Sequence, residues 1–202
     1  KEYFVNAYKN HADRFIWFTY GYDIKNPAYL DVIKEDVENG AQGIKLFPSI
    51  TGFSLEDPKL TPLFEYCNEN NLPIILALEL WNVSDRWPNT KDYSKLAYIV
   101  SGFIEKYRGI NWNLCHLGCF NWREDPQDPL ALPEEVFKNI DSFINLMRHP
   151  NVWTDVAAIA WYYDEPYPYP TALKLIKRLV DEIGIDKFMF GTRSEEHTSE
   201  LQ

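Results

Sequence analysis

The chain is 202 residues long, 46% hydrophobic and 16% aromatic, enough apolar surface for one sizeable core and far from a disordered composition. Its formal net charge of -10 is spread along the chain rather than blocked, which speaks against a nucleic-acid surface built from clustered Lys and Arg. No apolar run approaches the roughly 20 residues of a membrane span, Lys1–Asn6 lacks the pattern of a signal peptide, and an odd count of three cysteines predicts reduced thiols in a cytoplasmic protein.

From the N-terminus, a short helical piece over about Glu2–Asn10 leads into a strand, Arg14–Tyr20, dense in aromatics. Tyr29, Leu30, Ile33 and Val37 then recur at helical spacing, and Gly40 ends that helix. A second strand, Gly43–Pro48, precedes a helix over Pro58–Asn70, where Asp57 can cap and Pro58 suits the first turn. Strands are expected next at Leu72–Leu80, Trp112–Gly118, Val152–Ala157 and Lys187–Gly191. The helices Tyr93–Tyr107, Glu134–Arg148 and Thr171–Ile183 alternate with them.

Strand starts recur every ~30–40 residues, close to the ~31 of one unit in a barrel of about 250 residues and eight units. The strands are apolar on both faces, as parallel strands under helices must be. The expected architecture is therefore α/β, a partial (βα)8 barrel. Its rival is an open doubly wound sheet, disfavoured because no Gly-rich phosphate turn follows an early strand. Two long loops, Asn121–Pro133 and Trp161–Pro170, follow strands and so belong to the face where barrel enzymes keep their sites.

All apolar periodicity stops at Arg193. Residues 193–202 resemble the translation of a sequencing-adapter oligonucleotide, so they are expected to be a non-native tail behind a barrel domain of residues 1–192. The tail holds one Arg and three Glu, which leaves a net -8 on residues 1–192. With no initial Met, the chain is expected to be part of a longer enzyme, truncated at both ends.

Six segments in order carry a resemblance: Gly40-Ala-Gln-Gly-Ile-Lys-Leu46, Asp57-Pro-Lys-Leu-Thr-Pro-Leu-Phe-Glu65, Asn71-Leu-Pro-Ile-Ile-Leu76, His116-Leu-Gly118, Asn151-Val-Trp-Thr-Asp155 and Asp186-Lys-Phe-Met-Phe-Gly-Thr192. Together they resemble the amidohydrolase-related family. This is the branch of the amidohydrolase superfamily that includes aminocarboxymuconate-semialdehyde decarboxylase-like enzymes. The resemblance maps the six strands onto the third to eighth of the barrel. It implies a divalent metal, zinc or similar, held by a His-x-His pair on the first strand, His residues on the fifth and sixth, and an Asp ending the eighth. Imidazole and carboxylate donors suit such a metal, which activates water or polarises a carbonyl. The first strand would lie before Lys1. The sixth-strand His is His116, the fifth-strand position falls on Ala77, and Arg193 stands where the final Asp is expected.

His116 is the leading candidate, as metal ligand or general base, either of which needs the neutral imidazole. Read as a strand, 112–118 puts it on one face with Leu114 and Gly118, and puts Cys115 and Cys119 on the opposite face, toward the helices. The plainer reading is a buried His satisfied by a carbonyl. Glu79 shares a strand face with Ile75 and Ala77; a carboxylate there is costly unless paired, so it is either an acid, base or substitute ligand, or a salt bridge at the barrel mouth. Lys45 either binds a substrate carboxylate or forms an ion pair with Glu79 or Asp155. In other amidohydrolase branches a lysine on this strand is carboxylated to bridge two metals, but this branch generally does without that. Trp81 and Trp161, with Trp87, Trp122, Tyr162 and Tyr163, either wall a substrate pocket or pack the mouth. His11 and His149 lie by helix ends.

The resemblance implies that the parent is a metal-dependent hydrolase of C–N or C–O bonds, or a decarboxylase, acting on a small carboxylated or cyclic molecule. The 202-residue chain itself is expected to be inactive and to bind no metal, and a homo-oligomer is allowed. Two rivals remain: a carbohydrate-active, glycosidase-like barrel with Glu79 and Asp155 as paired carboxylates, and a non-catalytic barrel that binds a partner.

Overall fold

The computed structural model describes residues 2–21, 24–78, 93–118, 134–157, 167–168 and 170–191. In chain order the elements are α1 (Glu2–Asn10), β1 (Thr19–Tyr20), α2 (Tyr29–Glu38), β2 (Ile44–Leu46), α3 (Pro48–Thr51), α4 (Thr61–Glu69), β3 (Ile74–Leu76), α5 (Tyr93–Lys106), β4 (Trp112–Leu114), α6 (Cys115–Gly118), α7 (Glu134–Met147), β5 (Val152–Asp155), α8 (Pro170–Ile183) and β6 (Phe188–Met189). A 3-10 turn at Pro58–Leu60 precedes α4, and Asp57 caps it by accepting from the Lys59 amide at 3.0 Å, as the sequence predicts.

The six strands form one sheet in the order β1-β2-β3-β4-β5-β6, and every neighbouring pair is parallel. A doubly wound sheet reverses direction at a switch point; this order never reverses, so the sheet is singly wound, as in a barrel. The strands are shorter than the apolar runs suggested. β1 keeps two residues of the expected seven, and Phe15 and Ile16 before it are exposed. β4 ends at Leu114, with consequences for the site.

The two sheet faces separate by residue parity. Ile44, Leu46, Ile74, Leu76, Trp112, Leu114 and Val152 are buried in one large core with the helices. The helices answer at three- and four-residue spacing: Leu63, Phe64 and Cys67 from α4, Leu96, Val100 and Ile104 from α5, Ile140, Phe143, Ile144 and Met147 from α7, Leu175 and Leu179 from α8. The alternate strand positions, Lys45, Ile75, Asn113, Trp153 and Asp155, are only partly buried and face away from the helices, which is the inner side of a barrel. Ile75 packs there with Phe47, Ala77 and Cys115 in a separate small cluster.

Close approach explains the glycine before β2. A Cβ at Gly43 would lie 2.2 Å from the Phe18 ring and 2.8 Å from the Pro73 carbonyl oxygen, so only glycine lets β1 and β3 flank β2 at this point.

Burial within the helix layer pushes the Cys67 thiol from its ordinary 9.0 up to about 12. Above the ordinary value the unfolded chain releases this proton and the folded chain holds it, so stability falls as pH rises between the two. The expected loss is at most about 1.4 kcal/mol per pH unit across that window. Urea midpoints measured on either side of pH 9 should show a drop that Cys67→Ala flattens; an equal drop in the variant would assign it elsewhere.

Candidate active site at the C-terminal ends of the strands

Parallel winding puts the C-terminal ends of all six strands at one rim, which gathers residues from four connections. Lys45 is half-buried on β2, and its Nζ lies over the Phe47 ring, 5.5 Å from the centroid. Among the described residues Lys45 makes no ion pair, so the expected bridge to Asp155 is absent there. Ala77, fully buried beyond β3, presents only a methyl group.

Beyond β4 the chain departs from a strand. His116 (φ 57, ψ 44) and Leu117 (φ 51, ψ 40) are left-handed, and Gly118 has φ 75. Two consecutive non-glycine residues in this region cost on the order of 1–3 kcal/mol each and persist only when their surroundings enforce them. The consequence corrects the expected face assignment. Leu117, rather than a residue in strand register, follows Leu114 into the helix-side core. Cys115 packs on the inner side with Phe47 and Ala77, not toward the helices. His116 is buried at 6% exposure in the bend itself, so strand alternation does not describe it.

The end of β5 supplies the enforcement. Thr154, fully buried, donates its hydroxyl to the Leu114 carbonyl at 2.6 Å. Asp155 Oδ1 accepts the His116 amide at 3.1 Å and the Ala157 amide at 3.1 Å. Its Oδ2 accepts Asn113 Nδ2 at 3.0 Å. A carboxylate held by three donors is a fixed acceptor, a poor match to the acid or nucleophile that the glycosidase-like reading asks of Asp155. Asn113 Oδ1 is buried and has no partner among the described residues. Asn113 escaped the sequence reading, although one polar residue inside the apolar run Trp112–Leu114 was a visible signal.

Glu79, Trp81, Trp87, Cys119, Trp122, Trp161, Tyr162, Tyr163 and the tail 193–202 lie outside the described residues. His149 Nε2 sits 3.2 Å from Ser101 Oγ and His11 stacks edge-on to Phe15; neither joins the rim site.

Described residues line at least two clefts. The larger, about 500 Å³, lies on the outer side of α5 against Leu55–Asp57, with Tyr98, Gly102 and Lys106 in its wall. It is remote from the chemistry. The other, about 380 Å³, opens between the connections after β1 and β2 and is lined by Ile24, Lys25, Thr51–Ser54 and Lys59. It is at the rim, but Ile24 and Phe53 belong to the helix-side core, so it lies outside the strands rather than over the sheet's inner side.

The metal expectation can be tested on these residues. No three His, Cys, Asp or Glu converge as an ion site among the described residues. Ala77 has no donor atom, and Asp155 is already engaged. One imidazole does not hold a divalent ion where catalytic zinc takes three protein ligands, so the described residues alone do not fit a metal centre. Among them, too, no helix is long and apolar enough to cross a membrane.

The fold has solved counterparts. An amidohydrolase from Burkholderia multivorans, solved with bound zinc, superposes with a TM-score of 0.68 at 11% identity, over 99% of this chain and 68% of that one. An uncharacterized TIM-barrel protein from Bordetella bronchiseptica superposes at 0.64 with 17% identity, over 98% and 62%. A probable 2-pyrone-4,6-dicarboxylic acid hydrolase from Acinetobacter baumannii, solved with citric acid, superposes at 0.63 with 15% identity, over 98% and 66%. The chain thus spans between 62% and 68% of the length of these structures. Identities this low speak for the fold, a TIM barrel of which the described residues form six strands. No curated protein matches the chain. The amidohydrolase family model (Amidohydro_2) matches residues 1–192. With nearly the whole sequence matched and the singly wound parallel sheet in place, the chain belongs to the amidohydrolase family.

Proposed function

We propose that this chain is part of a hydrolase or decarboxylase of the aminocarboxymuconate-semialdehyde decarboxylase-like branch. It would act on a C–N, C–O or carboxyl C–C bond of a small carboxylated or cyclic molecule. The observation that carries the reading is His116: a buried imidazole on a left-handed bend, at the strand end where this fold keeps its chemistry. In the neutral form it would take a proton from the attacking water, and the imidazolium so formed would give that proton to the departing group. Lys45, on the inner side, would neutralise a substrate carboxylate by reaching past the Phe47 ring. A dicarboxylic-acid hydrolase and a bound citric acid among the structural counterparts support an acidic substrate. Glu79, Trp81 and Trp161 keep their proposed parts in catalysis and in walling the pocket.

A zinc-like ion belongs to this reading only if other residues of the parent join His116 in holding it; the zinc of the Burkholderia multivorans counterpart supports that. The partners are a small-molecule substrate and, in a cytoplasmic setting, a second copy of the protein. Residues 193–202 would be foreign to the parent. Two measurements test the reading. Elemental analysis of the full-length enzyme should find stoichiometric divalent metal; activity without it would leave a metal-free lactonase-type hydrolase. The 202-residue chain should show no turnover, and metal-dependent turnover from it would overturn the assignment of essential groups to residues outside it.

A further inference from the structure

The bend that carries His116 is held by a neighbouring strand, not by its own sequence, and this is where the structure says more than the family does. We propose that Asp155, braced by Asn113, is a positioning residue: its carboxylate fixes the left-handed backbone at His116 and so sets the imidazole for reaction. The proposal rests on the reading that His116 is the reactive imidazole.

The geometry divides the work between the two carboxylate oxygens. Oδ1 gathers the amides of His116 and Ala157, each at 3.1 Å, which ties the exit of β4 to the exit of β5. Oδ2 takes Asn113 Nδ2 at 3.0 Å, which stops the carboxylate from rotating. Thr154, one residue earlier, clamps the Leu114 carbonyl at 2.6 Å. Three positions of β4 and its bend, Asn113, Leu114 and His116, are thus each bonded to one of two adjacent residues, Thr154 and Asp155. Neither His116 nor Leu117 has the conformational freedom of glycine, so without these bonds the backbone would relax toward the strand that the sequence predicts. A residue used as acid or nucleophile needs a free oxygen; Asp155 has both oxygens engaged, which suits holding rather than reacting.

Amide hydrogen exchange on the 202-residue chain tests this without any activity assay. In Asp155→Ala the His116 and Ala157 amides should exchange about tenfold faster or more, while those of α5 stay unchanged. The exchanged pair Asn113→Asp with Asp155→Asn reverses the side-chain donor but keeps an oxygen facing both amides, so its protection should lie closer to the wild type than to Asp155→Ala. The same exchange rates in wild type and Asp155→Ala overturn the proposal. If Asp155→Ala does not fold, the exchanged pair decides alone: His116 protection lost in a folded double variant overturns it. In the full-length enzyme Asp155→Ala should lower kcat with little change in KM, and the exchanged pair should restore part of it. A His116→Asn enzyme with full activity would instead remove the functional reading and leave the exchange result standing.

Discussion

In the full-length enzyme, His116→Asn is expected to lower kcat/KM by about a hundredfold to ten-thousandfold, the range for losing a positioned acid or base. Asparagine is the informative replacement. His116 has φ 57 and ψ 44, and Asn tolerates that left-handed region better than most non-glycine residues. The bend, its bond to Asp155 and the packing of Leu117 should therefore survive, and only the imidazole is lost. Alanine would mix chemistry with backbone strain of about 1 kcal/mol or more. The check is a steady-state comparison on a carboxylated substrate, with circular dichroism to confirm the fold. Activity within a few-fold of the wild type would strip His116 of its role and place the chemistry on other residues of the parent.

The second large effect is structural. Phe64 is 1% exposed, and three rings crowd it: Phe103 at 5.0 Å, Tyr107 at 5.4 Å and Trp112 at 5.9 Å between centroids. These rings come from α4, α5, the connection after α5, and β4, so one side chain joins the sheet to two of its covering helices. Phe64→Ala should cost about 3–5 kcal/mol, a large part of the 5–15 kcal/mol typical of a whole domain. The cost combines lost apolar transfer with a cavity that three separate segments cannot easily close. Urea unfolding followed by tryptophan fluorescence measures it directly. A shift equivalent to less than about 1 kcal/mol would mean that the helix layer repacks freely around the gap.

Much of this arrangement is legible in one dimension. Helical spacing in Leu96, Val100 and Ile104, or in Leu175 and Leu179, comes from a 3.6-residue period that any single helix must obey. α1 over Glu2–Asn10 and the Asp57 cap follow from residues within a few positions of each other. The strands are shorter than their apolar runs because such a run continues past the last ladder bond; Trp112–Leu114 pairs with both neighbours, whereas Cys115 begins the bend.

The site was legible only in its identities. His116, Lys45 and Asp155 could be picked out as polar residues at strand ends, and Ala77 as a position without a donor. Their relations could not. The bonds that join Asp155 to Asn113 and His116 cross 42 and 39 residues of chain, and no local periodicity encodes such a distance.

By itself, then, the sequence determined the alternation of strands and helices, the apolar helix-facing side of the strands and the candidate imidazole, because each depends on short-range pattern and on side-chain chemistry. The tertiary structure alone decided the strand lengths, the inward side taken by Cys115 and the left-handed turn at His116. Those follow from pairing between distant strands, where hydrogen bonds to Thr154 and Asp155 outweigh the local preference of His and Leu for an extended backbone.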